Sequence, residues 1–334
     1  MSFSKTNRTE LLGFNQTATD WDNYTSYRPP YPPSMIQLIM DYHRTHSGSF
    51  RLAHDIGAGS GVFAPALAKQ FDHVHISDPN PRNVSIAQTW LSNQHKENQS
   101  NGRYTLGTCA AERVETMFAD GSVDFSCLMM AAHWTDVDRM IQSVARTLAS
   151  DGTLAIVHYH PVCRVLNNDI VDRSVQALFR VWGEEVVRYA KEQDGDDAPT
   201  IKRGMPQSNA GLDYVPLPKE LFFQDNVRRI TINAGGRGEK AFLVPGQESL
   251  LAASRTEVCH VKREFAHPDK EAEGWRQEVS PEFFRGFIKS MMQEGNLLKF
   301  DEAFKIVEAA IEETTTNGMV TVEWTVAILL ASKR

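Results

Sequence analysis

Cysteine is scarce: the 334 residues hold 4, at Cys109, Cys127, Cys163 and Cys259, with no C-x-x-C pair. That scatter excludes the usual zinc spacings and argues for a reducing compartment, so no metal and a cytoplasmic location are expected. Long apolar runs are missing too. The opening MSFSKTNRTELLGF carries no stretch suited to a secretory signal. No segment approaches the roughly 20 apolar residues of a membrane helix, so no membrane partner is expected. Positive charge is in deficit, with Lys plus Arg at 35 against 42 Asp plus Glu and a net charge of -7. A phosphate backbone favours a basic face, and no dense Lys/Arg run occurs. Nucleic acid is therefore not an expected partner. Hydrophobic content of 41% with 23% charged residues is ordinary for a globular chain, which argues against disorder.

No internal repeat is present, but a rhythm of short apolar runs and helical stripes is. Polar residues 1–13 precede an aromatic, proline-rich stretch from Phe14 to Pro33. Met35, Leu38, Ile39 and Tyr42 then recur at helical spacing, predicting an amphipathic helix over 33–46. LAHDIG, HVHISD, YTLGT, VDFSCLM and TLAIVHYH read as strands. Helical stripes fall between them at 62–67, 81–94 and 137–148, the last stopping near Asp151-Gly152. Strands alternating with helices imply a doubly wound, mostly parallel α/β sheet.

Further on, Ile170 to Val187 predicts one long helix running into a polar, turn-rich stretch from Glu192 to Gly211. VRRITIN and EVCHVKREF compete as strands. Ser280-Pro281 opens one helix and Asp301 another. TVEWTVAILLASKR alternates Val322, Trp324, Val326, Ile328 and Leu330, a strand buried on at least one face.

The segment Asp55-Ile56-Gly57-Ala58-Gly59-Ser60-Gly61 joins the first strand to the first helix of the sheet. Glycine lacks a Cβ, so this loop can turn sharply and bring backbone amides close to a ligand. In such sheets ligands bind beyond the carboxyl ends of the strands. A dinucleotide fingerprint, G-x-G-x-x-G, fails from Gly57 because Val62 holds the third position, and fails again from Gly59 because Ala64 does. No G-K-[ST] exists for a P-loop. D-x-G-x-G-x-G fits instead a site for S-adenosyl-L-methionine (AdoMet), which has no pyrophosphate to cradle. Asp78 ends the second strand about 20 residues on, where an acid can accept from both ribose hydroxyls. The bland alternative is that Asp78 only opens the turn with Pro79.

These pieces, with Tyr24-x-x-Tyr27-Arg28-Pro29-x-Tyr31-Pro32 and Ala132-His133-Trp134, make the chain resemble the class I AdoMet-dependent methyltransferases, within them the trans-aconitate methyltransferase-like group. The resemblance is strong over residues 14–160. It implies a Rossmann-like, seven-stranded sheet with helices on both faces. It also implies a single domain with a lid at 14–34, a cofactor core at 48–160, a helical cap at 162–215 and a C-terminal part, 216–334, completing the sheet.

The cofactor set implied is Tyr27, Arg28, Asp55, Gly57, Ala58, Gly59, Asp78, Pro79, Ala110, Ala111 and Ala132. Many relatives carry an acid where Ala110 stands, used on the adenine amino group; here backbone groups or Glu112 must serve. Arg28 suits the AdoMet carboxylate or a substrate acid through a bidentate pair. Tyr24, Trp134 and His160 are expected to meet the substrate. His133 and His158 are candidate bases, since an imidazole titrates near working pH; each is also readable as a structural histidine. Alternation puts His158 and His160 on one face of their strand. No [DNS]-P-P-[YFW] motif follows the fourth strand, which argues against nucleobase or glutamine methylation. Expected is a methyltransferase acting on a small molecule at a carboxylate, hydroxyl or activated carbon. The other classes left open are a non-methylating AdoMet binder and a protein or RNA methyltransferase. The oligomeric state is not legible.

Overall fold

Residues with a period of two sort into two layers when a strand is covered on both faces, and that sorting organises this molecule. The computed structural model describes residues 20–98, 103–192, 198–235, 237–253, 263–265, 274–292 and 294–334. The polar opening, residues 14–19 of the aromatic stretch and residues 257–262 of the second competing strand lie outside them.

Two helices open the described chain, α1 (Trp21–Tyr27) and α2 (Pro33–His46). The alternating part follows as β1 (Leu52–Ile56), α3 (Ala64–Ala68), β2 (His73–Asp78), α4 (Pro81–Asn98), β3 (Tyr104–Thr108), β4 (Val123–Met129), α5 (Val137–Thr147) and β5 (Leu148–Leu166). Next come α6 (Asp169–Glu192), α7 (Ala198–Ser208), β6 (Arg228–Ile232), β7 (Arg263–Phe265) and β8 (Arg276–Val279). The chain closes with α8 (Pro281–Lys289), α9 (Asp301–Thr314) and β9 (Val320–Ser332).

The sheet runs β3-β2-β1-β4-β5-β9-β6-β7, with β8 paired to β9. Pairs among β1 to β5, and β6 with β7, are parallel; β9 runs antiparallel to β5, β6 and β8. This is the expected doubly wound, mostly parallel Rossmann-like architecture, with nine strands among the described residues rather than seven. The two extra strands are the short β7 and β8 at the far side of the sheet. Both competing segments form strands, and they pair with each other.

β9 shows why the sheet is buried on both faces. Val322, Trp324, Val326, Ile328 and Leu330 join one apolar core, while Ala327, Leu329 and Ala331 join the other. β5 divides likewise, with Ala155, Val157 and Tyr159 on one side and Leu154 and Ile156 on the other. Trp324 is fully buried; truncating such a side chain to alanine costs about 3–5 kcal/mol. α5 fits this scheme: Val137, Met140, Ile141 and Val144 form its buried stripe, and the Asp136 carboxylate accepts from Arg139 N at 3.3 Å to cap its start.

Three boundaries differ from expectation. α5 stops at Thr147, and Asp151-Gly152 sits within the bend that starts β5, where Asp151 takes φ 65. β5 continues six residues past His160, held by its antiparallel partner β9. The stretch read as polar and turn-rich contains α7, a helix that carries Pro206.

Candidate active site

Strand order reverses around β1, with β2 on one side and β4 on the other. The carboxyl ends of these strands open a crevice there, the place where doubly wound sheets bind ligands. A cavity of about 290 Å³ occupies it, close to the lower end of the ~300–1,000 Å³ typical of small-molecule sites. Its walls include Asp55, Gly57, Ala58, Gly59, Asp78, Pro79, Ala110, Ala111 and Glu112. Most of the cofactor set read from the sequence is thus brought to one place.

The loop after β1 is built by two glycines that nothing else could replace. Gly57 and Gly59 have φ 67 and 57, the left-handed region. A Cβ on Gly57 would lie 2.6 Å from Ala131 Cβ, and one on Gly59 would lie 2.5 Å from the Trp21 ring. Asp78 ties this loop to β2: Oδ2 accepts from Gly59 N at 3.0 Å, and Oδ1 accepts from Asn80 N at 2.9 Å and Asn83 Nδ2 at 3.1 Å. Asp55 is buried, with Oδ1 accepting from the Cys127 thiol at 3.7 Å and Oδ2 left without a partner. Burial lifts its carboxyl to about 7; the charge of Asp78 adds to the rise and the Cys127 bond opposes it.

Tyr27, Arg28 and Ala132 do not reach this cavity. Tyr27 lies against Gly286 and Phe283 on α8, so it braces α1. Asn23 Nδ2, donating to Gly286 O at 3.1 Å, and a Lys289–Asp20 ion pair at 3.2 Å fix the same contact. Ala132 is buried in the second core. Trp21, Tyr24 and Tyr31 supply the aromatic wall instead.

A second, smaller cavity adjoins the first. Tyr24, Met130 and Trp134 line both. Beyond that junction the walls are Arg28, His133, Pro161, Trp182, Val186, Gly204, Met205, Ser208, Val244, Gln247 and Met291. Met130 holds φ 58, a rare conformation for a side-chain-bearing residue, and its sulfur accepts from Tyr159 N at 3.0 Å. Strain of this kind persists where the surroundings over-determine it. No sequence signal marks Met130.

Arg28 is 9% exposed. Nε donates to Ser290 Oγ at 2.7 Å, one terminal nitrogen donates to Ser290 O at 3.3 Å, and the other to Tyr159 Oη at 3.4 Å. Its guanidinium lies 4.9 Å from the Tyr24 ring centroid and 5.4 Å from that of Phe287. Among the described residues no carboxylate comes within ion-pair distance of it.

His133 and His158 stack edge to face, with ring centroids 5.1 Å apart. His158 Nε2 donates to Ser208 O at 3.1 Å, so the ring stands behind His133 and lines neither cavity. His133 Nδ1 is sealed and unpartnered, which leaves Nε2 as the edge able to meet a ligand. Burial pushes His133 well below the usual histidine range, and His158 and Arg28 add to the shift. Burial likewise takes His158 to about 4. Both rings are neutral at pH 7. His160 does share the face of His158, but Nδ1 donates to Val162 O at 3.0 Å and the ring packs on Phe242. It reaches neither cavity, because β5 runs on past it and carries it into the core.

Sequence reasoning missed Thr200, Ile201 and Arg203, which line the first cavity from α7. Gly204 and Pro206 broke the helical pattern there, although Gly204 is what lets α7 pack on Trp134: an added Cβ would lie 2.6 Å from that ring. Among the described residues no group of three or more His, Cys, Asp or Glu could hold a metal ion, and no helix is long and apolar enough to cross a membrane.

A glycine-lined crevice at the switch point, an acid at the end of β2 and an unpartnered buried carboxylate oxygen together suit a nucleoside ligand on a Rossmann-like sheet. Residues 54–156 match the family described as a methyltransferase domain. The chain is 28% identical to the methyltransferase gedG of Aspergillus terreus over 96% of its own length and 93% of that protein. With the methyltransferase tpcM of Aspergillus fumigatus the figures are 29%, 86% and 89%. A solved structure of a type II methyltransferase candidate from Anaeromyxobacter dehalogenans superimposes with a TM-score of 0.54 at 18% identity, covering 92% of this chain and 98% of that one. The matched domain and these relatives identify the chain as a methyltransferase enzyme, similar to the class I AdoMet-dependent kind, with AdoMet as its cofactor.

Proposed function

We propose that this methyltransferase acts on a small acceptor bearing an acidic oxygen, a carboxylate or an ionisable hydroxyl. The observation carrying this is the second cavity. Its walls are mostly apolar, it meets the first at Tyr24, Met130 and Trp134, and it contains the buried cation Arg28, which no carboxylate among the described residues pairs. Such a cation favours an anionic oxygen, whether already ionised or becoming so.

The first cavity suits the cofactor. Backbone groups of Gly57, Ala58 and Gly59 border the amino-acid end, and Asp55 Oδ2 is a free acceptor for its ammonium. Asp78, beside Pro79, accepts three bonds within the chain and keeps about one further acceptor position for a ribose hydroxyl. Ala110 and Ala111 flank the purine. Bound AdoMet supplies an electrophilic methyl group on sulfur. Displacement at that carbon asks the protein for alignment and exclusion of water. Tyr24 and Trp134 provide both at the junction. A carboxylate needs no base; a hydroxyl gives its proton to His133 Nε2, with His158 fixing the ring from behind.

Because the Asp55 carboxyl sits at about 7, S-adenosylhomocysteine (AdoHcy) should bind more tightly as pH rises through 7. Only about a tenth of the carboxyl is ionised one unit below its pKa, so affinity at pH 6 should be about tenfold below that at pH 8. Asp55→Asn should bind weakly and flatten that dependence. A wild-type Kd constant across the range would remove Asp55 from the site.

Methyl-labelled AdoMet offered with a panel of organic acids, phenols, amines and whole-cell protein tests the acceptor class. Label should pass to an oxygen of a small acid or phenol. Label on protein or amines alone, or AdoHcy binding without turnover on any acceptor, would contradict it.

A further inference from the structure

α7 borders both cavities. Thr200, Ile201 and Arg203 face the first, and Gly204, Met205 and Ser208 face the second. The helix is seated on Trp134 in two ways: Gly204 leaves room for the ring, and an Arg203 terminal nitrogen donates to Trp134 O at 3.3 Å. Ala110, Glu112 and Arg203 also line an open surface groove that continues outward from the first cavity. These three residues therefore stand where the cofactor crevice meets the open groove.

Arg203 has more capacity than its one bond uses. Its Nε is sealed, which leaves the terminal nitrogens as the edge able to meet a ligand, and among the described residues they spend one bond, on Trp134 O. Among the described residues no carboxylate lies within ion-pair distance. Glu112, lining the same cavity and groove, spends Oε1 on Asp136 N at 2.7 Å, and among the described residues its second oxygen accepts nothing. A planar guanidinium stacks on aromatic faces and donates in a fixed fork, and a purine offers both a π-face and ring-nitrogen acceptors.

We infer that Arg203 is a binding residue for the purine of the cofactor, so that α7 closes the nucleoside end of the site as well as walling the acceptor cavity. The inference rests on the cofactor placement proposed above. It also explains how purine contact is kept although Ala110 has no acid to offer: the donor comes from α7, a helix outside the alternating core.

Calorimetry on the full chain distinguishes the possibilities, using AdoHcy and 5′-methylthioadenosine, which has the nucleoside but lacks the amino-acid end. Arg203→Ala should weaken both ligands by about tenfold or more, and by similar factors. Arg203→Met, which keeps the apolar stem against α7, should do the same with an unchanged melting temperature. Weakening of AdoHcy alone would assign Arg203 to the amino-acid end and overturn the inference, as would unchanged affinity for both. Wild-type protein that binds neither ligand would instead undo the cofactor placement itself.

Discussion

Asp78→Ala should lose AdoHcy binding by about a hundredfold or more while the sheet stays folded. The Asp78 carboxylate does two jobs. It holds the loop after β1 in place through Gly59 N, and in the proposed complex it accepts from a ribose hydroxyl. Hydrogen bonds to a charged group contribute about 1.5–3 kcal/mol each, so losing a ribose bond together with the Gly59 N bond that shapes the loop predicts this size of effect. Asp78→Asn keeps the shape and one acceptor oxygen, and should fall between the wild type and alanine. Titration calorimetry reads the affinities, and a thermal melt separates lost binding from lost structure. An alanine variant that binds within threefold of wild type would mean that Asp78 serves only the turn with Pro79.

The second large effect concerns His133. With a hydroxyl acceptor at saturating AdoMet, His133→Ala should lower kcat by about 10²–10⁴, the usual range for a general base. AdoHcy affinity should not change. The pH profile carries the sign. Only the neutral ring can take a proton, and burial, His158 and Arg28 hold the His133 pKa well below 6.5. The base form therefore persists as pH falls through 6.5, and kcat should stay level there, dropping only at more acid pH. Saturating cofactor is needed because Asp55 titrates near 7 and affects binding. With a carboxylate acceptor the same variant should lose little. Full activity of His133→Ala on a phenol would exclude the ring as base, whereas a kcat already halved at pH 6.5 would contradict its depressed pKa.

The alternating half of the molecule was legible because each strand and helix there carries its own period. α2 runs from Pro33 to His46 and β2 from His73 to Asp78, as the pattern predicts. Gly57, Gly59 and Asp78 were legible for a different reason: backbone conformation and charge leave a residue-type signature that does not depend on what packs nearby. Side-chain direction has no such signature. Tyr27 and Tyr24 stand three apart on one short helix, yet the first braces α8 and the second faces the cavities. His160 alternates with His158 as expected and still misses the site, because its strand continues into the core. α7 was hidden by the residues that suit it to its place, since Gly204 weakens a helical pattern while allowing contact with Trp134.

The most direct test is a crystal structure with AdoHcy. It should place the ribose on Asp78, the amino group on Asp55 and the sulfur at the junction of Tyr24, Met130 and Trp134, aimed into the cavity that holds Arg28 and His133. AdoHcy with its sulfur turned away from that junction, or bound outside the crevice beyond β1 and β2, would contradict the account.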